Sequence, residues 1–499
     1  MAALSRLLQR APAAEASTTD LMVPASLADL TVTDVRALGG AFVLEGLWRR
    51  LGIDAAIRTA LVSRHLDTDV DAAQVERIAF GLTASRALRP KPGAGEGVRR
   101  DEHLDALAAV DGEACHLAME SLLNISSTLS RDIHRRVAEM LGLDVDVLFV
   151  GAMASRFSMR DGAELAAGPS EDQDDDWTRA MIGVAITREG IPVRVWTWPR
   201  GRGRVPTRGV DDDLRGWPSA RVVWVADRSF SSSATHRHLQ RGGGHYIIGE
   251  KLRPGPEPGP GSDEAMAALS RRGRYRVISD RLRIKEVKID NVGDRWLICR
   301  YPDAAERDRH ARDALVARLA GLIDRSESLS RTGLAELRGA IRTRPGLSHF
   351  VRTTPAGLLR LDCTAIRTAG RLDGGYLLRC SDPTLSAEEI AVGYKQLLDV
   401  ERGWHELTGM GDLRPVRRDL HDRIRVHVLL CWLALLLVRV AELATGRTWS
   451  AIRAELDRIH MVTLTSPVGT FRQTTALTRD QRELLRALGL EPPDQIPTG

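Results

Sequence analysis

The stretch Val147-Leu148-Phe149-Val150-Gly151 decides how this chain is read. Four apolar residues in a row, three of them β-branched or aromatic, predict a short strand buried on both faces. A second run, Val222-Val223-Trp224-Val225-Ala226, ends in Asp227. In open α/β sheets, ligands gather beyond the carboxyl ends of the strands. An acid at such an end is placed for chemistry, and Gly151, with no side chain, is not. Asp227 also suits a helix N-cap or a turn, so both readings stand at this point.

Working outward, Met181 to Ile186, Pro192 to Trp198 and Tyr246 to Ile248 read as further strands, with a helix expected over 228–241. Strands alternating with helices predict an α/β fold with a sheet covered on both faces. Before this region the period is helical: Val43-Leu44, Leu47-Trp48 and Leu51 recur at helix spacing, and apolar stripes follow at 73–88 and 114–141. After it, Pro254 to Gly261 (P-G-P-E-P-G-P-G) is a linker by composition. Residues 274–300 read as strands, 303–343 as charged helix, and 347–380 as strands again. Ser386-Ala387-Glu388-Glu389 is a capping box opening a helix to about 408, and a very apolar helix follows over 420–443. The tail from 484 reads as loose.

The bulk numbers fit an ordinary globular protein of 499 residues, 43% apolar and 27% charged. A net charge of +5 tilts the surface only mildly toward polyanions. Five cysteines, widely spaced and with no C-x-x-C pair, indicate neither a disulfide framework nor a thiolate zinc site. The start of the chain lacks a continuous apolar segment of the secretory kind. Val428 to Val438 is too short to span a bilayer and reads as buried helix. These points predict a cytoplasmic protein with no membrane partner.

Within the helix after Ser386, Ile390, Tyr394, Leu397, Glu401 and Trp404 recur at spacings of three and four, which puts Glu401 on the apolar seam. A carboxylate there requires an ionic partner or a metal. Hard divalent cations take carboxylate oxygens, and two of them can clamp the attacking and leaving oxygens of a phosphodiester. A buried ion pair with one of the many arginines is the alternative. Other motifs carry less. Gly244-x4-Gly249 ends in Glu250-Lys251 rather than G-K-[ST], so it is no phosphate-cradling loop. His236 and His238 do not share a helix face.

These residues carry a resemblance. Ile182 to Trp198, Val222 to Phe230, Gly244 to Lys251, Ser381 to Glu401 and Arg423 to Leu437 resemble the bacterial insertion-sequence DDE transposases with a Y-x2-R-x3-E-x6-K signature and an RNase H-like core. The likeness runs from about 40 to 445. Beside a mobile arm at 1–33, expected from its Ala/Ser/Thr-rich and weakly patterned sequence, it implies a helical N-terminal region at 34–143 and an RNase H-like mixed-sheet core in two parts, 144–251 and 381–445. A strand-rich insertion with helices at 252–380 separates them, and a C-terminal tail region occupies 446–499. It implies Asp227 and Glu401 as catalytic and metal-binding carboxylates, Tyr394 as the signature tyrosine, Mg²⁺ as cofactor, and transposon-end DNA as partner, with a homodimer as a further expectation.

The departures fall on the same face. The family's strand-end Asp is Gly151, followed by Ala152-Met153-Ala154; its signature Arg is Leu397; its signature Lys is Thr408. A basic segment of the family is replaced by Glu171-Asp172-Gln173-Asp174-Asp175-Asp176, which would repel DNA. Arg200, Arg202 and Arg204 replace another family segment and are candidate phosphate contacts, or simply an exposed arginine loop. Asp161 or Asp172 could stand in for the missing acid, though neither follows a strand end directly. The expectation is a transposase-family protein with a degenerate active site that does not cleave DNA. The alternative is a repurposed, non-catalytic DNA- or protein-binding protein on the same fold.

Overall fold

The computed structural model describes residues 30–63, 71–88, 112–142, 146–156, 179–199, 207–214, 221–226, 244–250, 274–279, 282–288, 293–326, 329–342, 345–355, 357–408, 420–467 and 469–494. The elements begin with β1 (Thr31–Ala37), α1 (Gly39–Arg50), α2 (Ile53–Ser63), α3 (Ala72–Ala87) and α4 (Gly112–Leu141). Then come β2 (Val147–Arg156), β3 (Arg179–Ile186), β4 (Pro192–Pro199), α5 (Thr207–Leu214), β5 (Arg221–Ala226) and β6 (His245–Glu250). They continue with β7 (Arg276–Ser279), β8 (Leu282–Val287), β9 (Arg295–Arg300), α6 (Pro302–Ser326), α7 (Arg331–Arg342) and α8 (Pro345–Ser348). Next are β10 (Val351–Thr353), β11 (Leu359–Leu361), α9 (Cys363–Leu372), β12 (Gly375–Cys380), α10 (Ala387–Thr408) and α11 (Leu420–Thr445). The last are α12 (Trp449–Leu456), β13 (His460–Ser466), β14 (Gly469–Thr474) and α13 (Arg479–Ala487).

One mixed sheet of nine strands, in the order β4-β3-β2-β5-β6-β12-β9-β8-β7, organises the molecule. β4, β3 and β2 form an antiparallel meander; β5 and β6 are added parallel to β2. β12, β9, β8 and β7 then continue antiparallel. Of the strands in the 252–380 stretch, β10 and β11 form a small sheet of their own and the rest do not. The other four extend the central one, because β12 hydrogen-bonds along β6. The joint is reinforced by Asp294, which accepts from the Tyr246 hydroxyl at 2.8 Å and from Arg379.

Helices α1 to α4 pack with α11 into a helical layer. Its core is built around Trp48, fully buried, set edge-to-face on Phe80 with ring centroids 5.6 Å apart. The indole N–H donates to Glu76 at 2.7 Å, and Arg58 donates to the other carboxylate oxygen at 2.7 Å. That satisfies a carboxylate only 1% exposed. On α4, burial pushes the His134 imidazole down to about 4. His134 is thus neutral in the fold and protonates more readily in the unfolded chain. Its contribution is intact above the unfolded value near 6.5 and is lost as pH falls toward 4. We expect the native chain to lose about 2 kcal/mol more between pH 7 and pH 5 than His134→Gln does, read from urea unfolding.

Several expectations are corrected. Residues 31–37, expected in part as mobile arm and in part as helix, form β1, which pairs antiparallel with β13. Two hydroxyl contacts, Thr33 to Thr465 at 3.2 Å and Thr31 to the Thr465 carbonyl at 3.2 Å, support the pairing. The region after 446 is not a tail but α12, β13, β14 and α13. α13 begins with a reciprocal Thr478–Gln481 capping box and buries Leu484 and Leu485, so the chain is not loose from 484. Residues 363–372, expected within strands, are helix α9, started by Asp362 accepting from the amides of Thr364 and Ala365. The expected helix over 228–241 and the linker at 254–261 lie outside the described residues.

The apolar helix α11 spans nearly the expected 420–443, but its apolar part is longer than Val428 to Val438. Ile424–Thr445 is long and apolar enough to cross a membrane by length and composition. In the fold it is wrapped by protein: Leu430 to Leu437 are all 1% exposed or less. It packs against α3, α4, α10 and β4, and the Trp432 indole donates to the Pro192 carbonyl at 3.0 Å.

Candidate functional site

The candidate site is the face of the sheet crossed by α10. Its capping box forms as expected: Ser386 Oγ accepts from the Glu389 amide at 3.1 Å, and the Glu389 carboxylate accepts from the Ser386 amide at 2.6 Å. From there the helix runs along β2. A Cβ added at Gly393 would lie 2.6–2.8 Å from three atoms of the Phe149 ring. A Cβ added at Gly151 would lie 2.8 Å from Leu397 Cδ1 and closer still to Cδ2. Four helix residues rise about 6 Å and two strand residues about 6.6 Å, so these contacts stay in step. On β6, across β5 from β2, Gly249 lies under Tyr394: a Cβ there would sit 2.9 Å from Cζ.

Gly151 is not the end of its strand, as the sequence implied. β2 continues to Arg156 against β3, but its parallel pairing with β5 stops at Gly151, opposite Val225. β2 thus continues five residues past the end of that pairing. Side chains two apart share a strand face, so Phe149, Gly151 and Met153 all face α10, beside Val225 and Gly249. No oxygen ligand comes from any of these side chains.

Glu401 also shifts from its expected place. The buried seam of α10 is Ile390, Ala391, Tyr394, Leu397, Val400 and Trp404, each 2% exposed or less. Val400 takes the core position, and Glu401 lies half-buried at its margin. It lies one turn past Leu397 on the helix. Tyr394 is buried in the seam and packs near Tyr376, with ring centroids 6.3 Å apart.

The structure brings together Gly151, Leu397 and Tyr394, with Glu401 on the adjoining turn. It does not place the other residues singled out by sequence. β5 is described to Ala226, and Asp227 lies outside the described residues, as do Arg200, Arg202, Arg204, Asp161 and the acidic run at 171–176. Thr408 is the last residue of α10, and its side chain lies outside them too. Among the described residues, no group of three His, Cys, Asp or Glu side chains could hold a metal ion. Mg²⁺ requires near-octahedral oxygen ligation. The described side chains around Gly151 are leucine, methionine, valine and ring carbon, none of them an oxygen ligand, while the expected metal carboxylate Asp227 lies outside the described residues.

Sequence reasoning treated Gly151 and Leu397 as two separate departures and missed that they touch. It also missed a second concentration of chemistry. Residues 331–371 hold eight arginines against two acids, Glu336 and Asp362, a net +6 that exceeds the +5 of the whole chain. They form α7, α8, the hairpin β10–β11 and α9 around a small core of Leu319, Ile323, Ile341, Leu347, Phe350 and Leu359. In the hairpin Arg352 stands directly opposite Arg360. Arg352, Arg367 and Arg371 are exposed. The Ala365 amide, with that of Thr364 and the nearby charges of Arg352 and His349, holds the Asp362 carboxyl below the usual carboxylate range. A windowed charge count along the chain would have found this unit.

No family model matches the chain, and none of the curated proteins matches it. Among solved structures it is similar to a piggyBac transposase, in a cryo-EM structure of the synaptic complex with hairpin DNA. The likeness is distant: 8% identity and a TM-score of 0.30, over 84% of this chain and 79% of that one.

Proposed function

We propose that this chain is a DNA-binding protein of the insertion-sequence DDE transposase kind, with an RNase H-like core that does not cleave DNA. The observation that carries the DNA reading is the arginine concentration in 331–371, with Arg352 and Arg360 paired across a hairpin. Like charges directly opposite on a sheet oppose its formation by up to about 1 kcal/mol. A phosphate backbone relieves that repulsion and releases counterions on binding. The RNase H-like reading is supported by the meander β4-β3-β2 extended by parallel β5 and β6, with α10 crossing that face. The inactive reading is supported by the apolar surroundings of Gly151.

Fluorescence anisotropy with labelled duplex DNA over a salt series tests the binding. The native chain is expected to bind with an affinity that falls steeply with salt. Arg352→Ser with Arg360→Ser is expected to weaken binding uniformly across sequences and to flatten the log–log salt slope by about 2. Equal affinity and slope for the two proteins would remove the hairpin from the interface. In parallel, incubation with Mg²⁺ is expected to leave end-labelled DNA intact. Cleavage that disappears in Asp227→Ala would overturn the inactive reading.

A further inference from the structure

We propose that Gly151 and Leu397 are a matched pair, in which the isobutyl group of Leu397 fills the space a side chain at 151 would need. The inference rests on packing and holds whether or not the protein binds DNA. Gly151 has ordinary strand dihedrals and is absent from the left-handed glycines, so no backbone requirement keeps it glycine. What keeps it is proximity: both methyls and Cγ of Leu397 lie within 3.0 Å of where its Cβ would be.

Leu397 is 2% exposed, with Tyr394 and Val400 one turn to either side on the buried seam. Interiors this dense leave few voids for a displaced side chain. The neighbouring contacts hold the helix in register. Gly393 rests on the Phe149 ring and Tyr394 on Gly249, so α10 cannot rise to admit a group at 151 without losing both. The site closes to carboxylates as a unit. An acid placed at 151 meets the Leu397 side chain, and burying an unpaired carboxylate against hydrocarbon is strongly unfavourable. An acid at 151 and a leucine at 397 thus exclude one another.

The test is a thermodynamic cycle read by urea unfolding on the full chain. In the native background Gly151→Ala is expected to lower the folded-to-unfolded ratio at least about tenfold, through overpacking. In a Leu397→Ala background, which leaves a cavity beside Gly151, the same substitution is expected to be neutral or stabilising, because the added methyl fills space. Gly151→Asp is expected to lose about a hundredfold or more with Leu397 present and markedly less with Leu397→Ala. A reversal or loss of the effect supports the pair. Equal losses from Gly151→Ala in both backgrounds would overturn it. Should Gly151→Asp fail to fold, the alanine arm decides alone.

Discussion

Asp294→Ala is expected to destabilise the protein by about 3–5 kcal/mol, because it removes the carboxylate to which a buried arginine donates. Arg379 is 5% exposed, lies over the Trp296 ring at 5.5 Å, and directs its guanidinium at Asp294. The same carboxylate accepts from the Tyr246 hydroxyl. These three residues belong to β12, the turn entering β9, and β6, so they sit where the later strands meet the earlier ones. Removing the acid takes away an acceptor shared by a buried cation and a buried hydroxyl. Asp294→Asn keeps an acceptor for the tyrosine and is expected to recover part of the loss. Denaturant unfolding checks both, and a change under about 1 kcal/mol for Asp294→Ala would show that the joint does not depend on this cluster.

Trp432→Ala is the second large effect, about 3–5 kcal/mol, from the cavity left by a fully buried indole. The side chain fills the space between α11 and the start of β4, and its N–H is spent on the Pro192 carbonyl. Trp432→Phe keeps most of the volume and loses the donor, so about 1 kcal/mol is expected from the orphaned carbonyl, plus a smaller packing loss. A helix whose surface faced lipid would tolerate either change. Near-neutral behaviour of Trp432→Ala would therefore argue that the protein wrapping around α11 is wrong.

What the sequence shows well is local. α10 runs from Ala387 to Thr408 and β5 from Arg221 to Ala226, as the capping box and the β-branched run predict. Both signals lie within a few residues of what they determine. β1 was illegible for the opposite reason. Val32 and Val35 are 60% and 53% exposed, so no buried stripe marks the strand, and its partner is β13 far along the chain. α9 buries none of its residues, and its Thr and Ile content imitates a strand. The Thr478-x-x-Gln481 box of α13 was readable and overlooked.

At the candidate site, spacing from Leu397 admits both Val400 and Glu401 as core positions, and only packing against the sheet chose Val400. Gly151 was visible as a gap, whereas its filling by Leu397 depends on how α10 is seated. No one-dimensional pattern contains that.

The pairing of β1 with β13 has a consequence in time. Thr31 and Thr465 are separated by 434 positions and meet through a hydroxyl-to-carbonyl hydrogen bond. At roughly 5–20 residues per second, the ribosome needs tens of seconds to deliver the second strand after the first. Through that interval Val32 and Val35 sit on an unpaired strand, and Leu38 and Gly39 lack the Ile459 carbonyl to which both amides donate in the finished fold. Contacts of such long range slow folding, because loop closure precedes any reward. The helical layer is thus sealed only after residue 459 has been made. A nascent chain stalled before residue 460 presents an open strand edge to whatever else is in the cell.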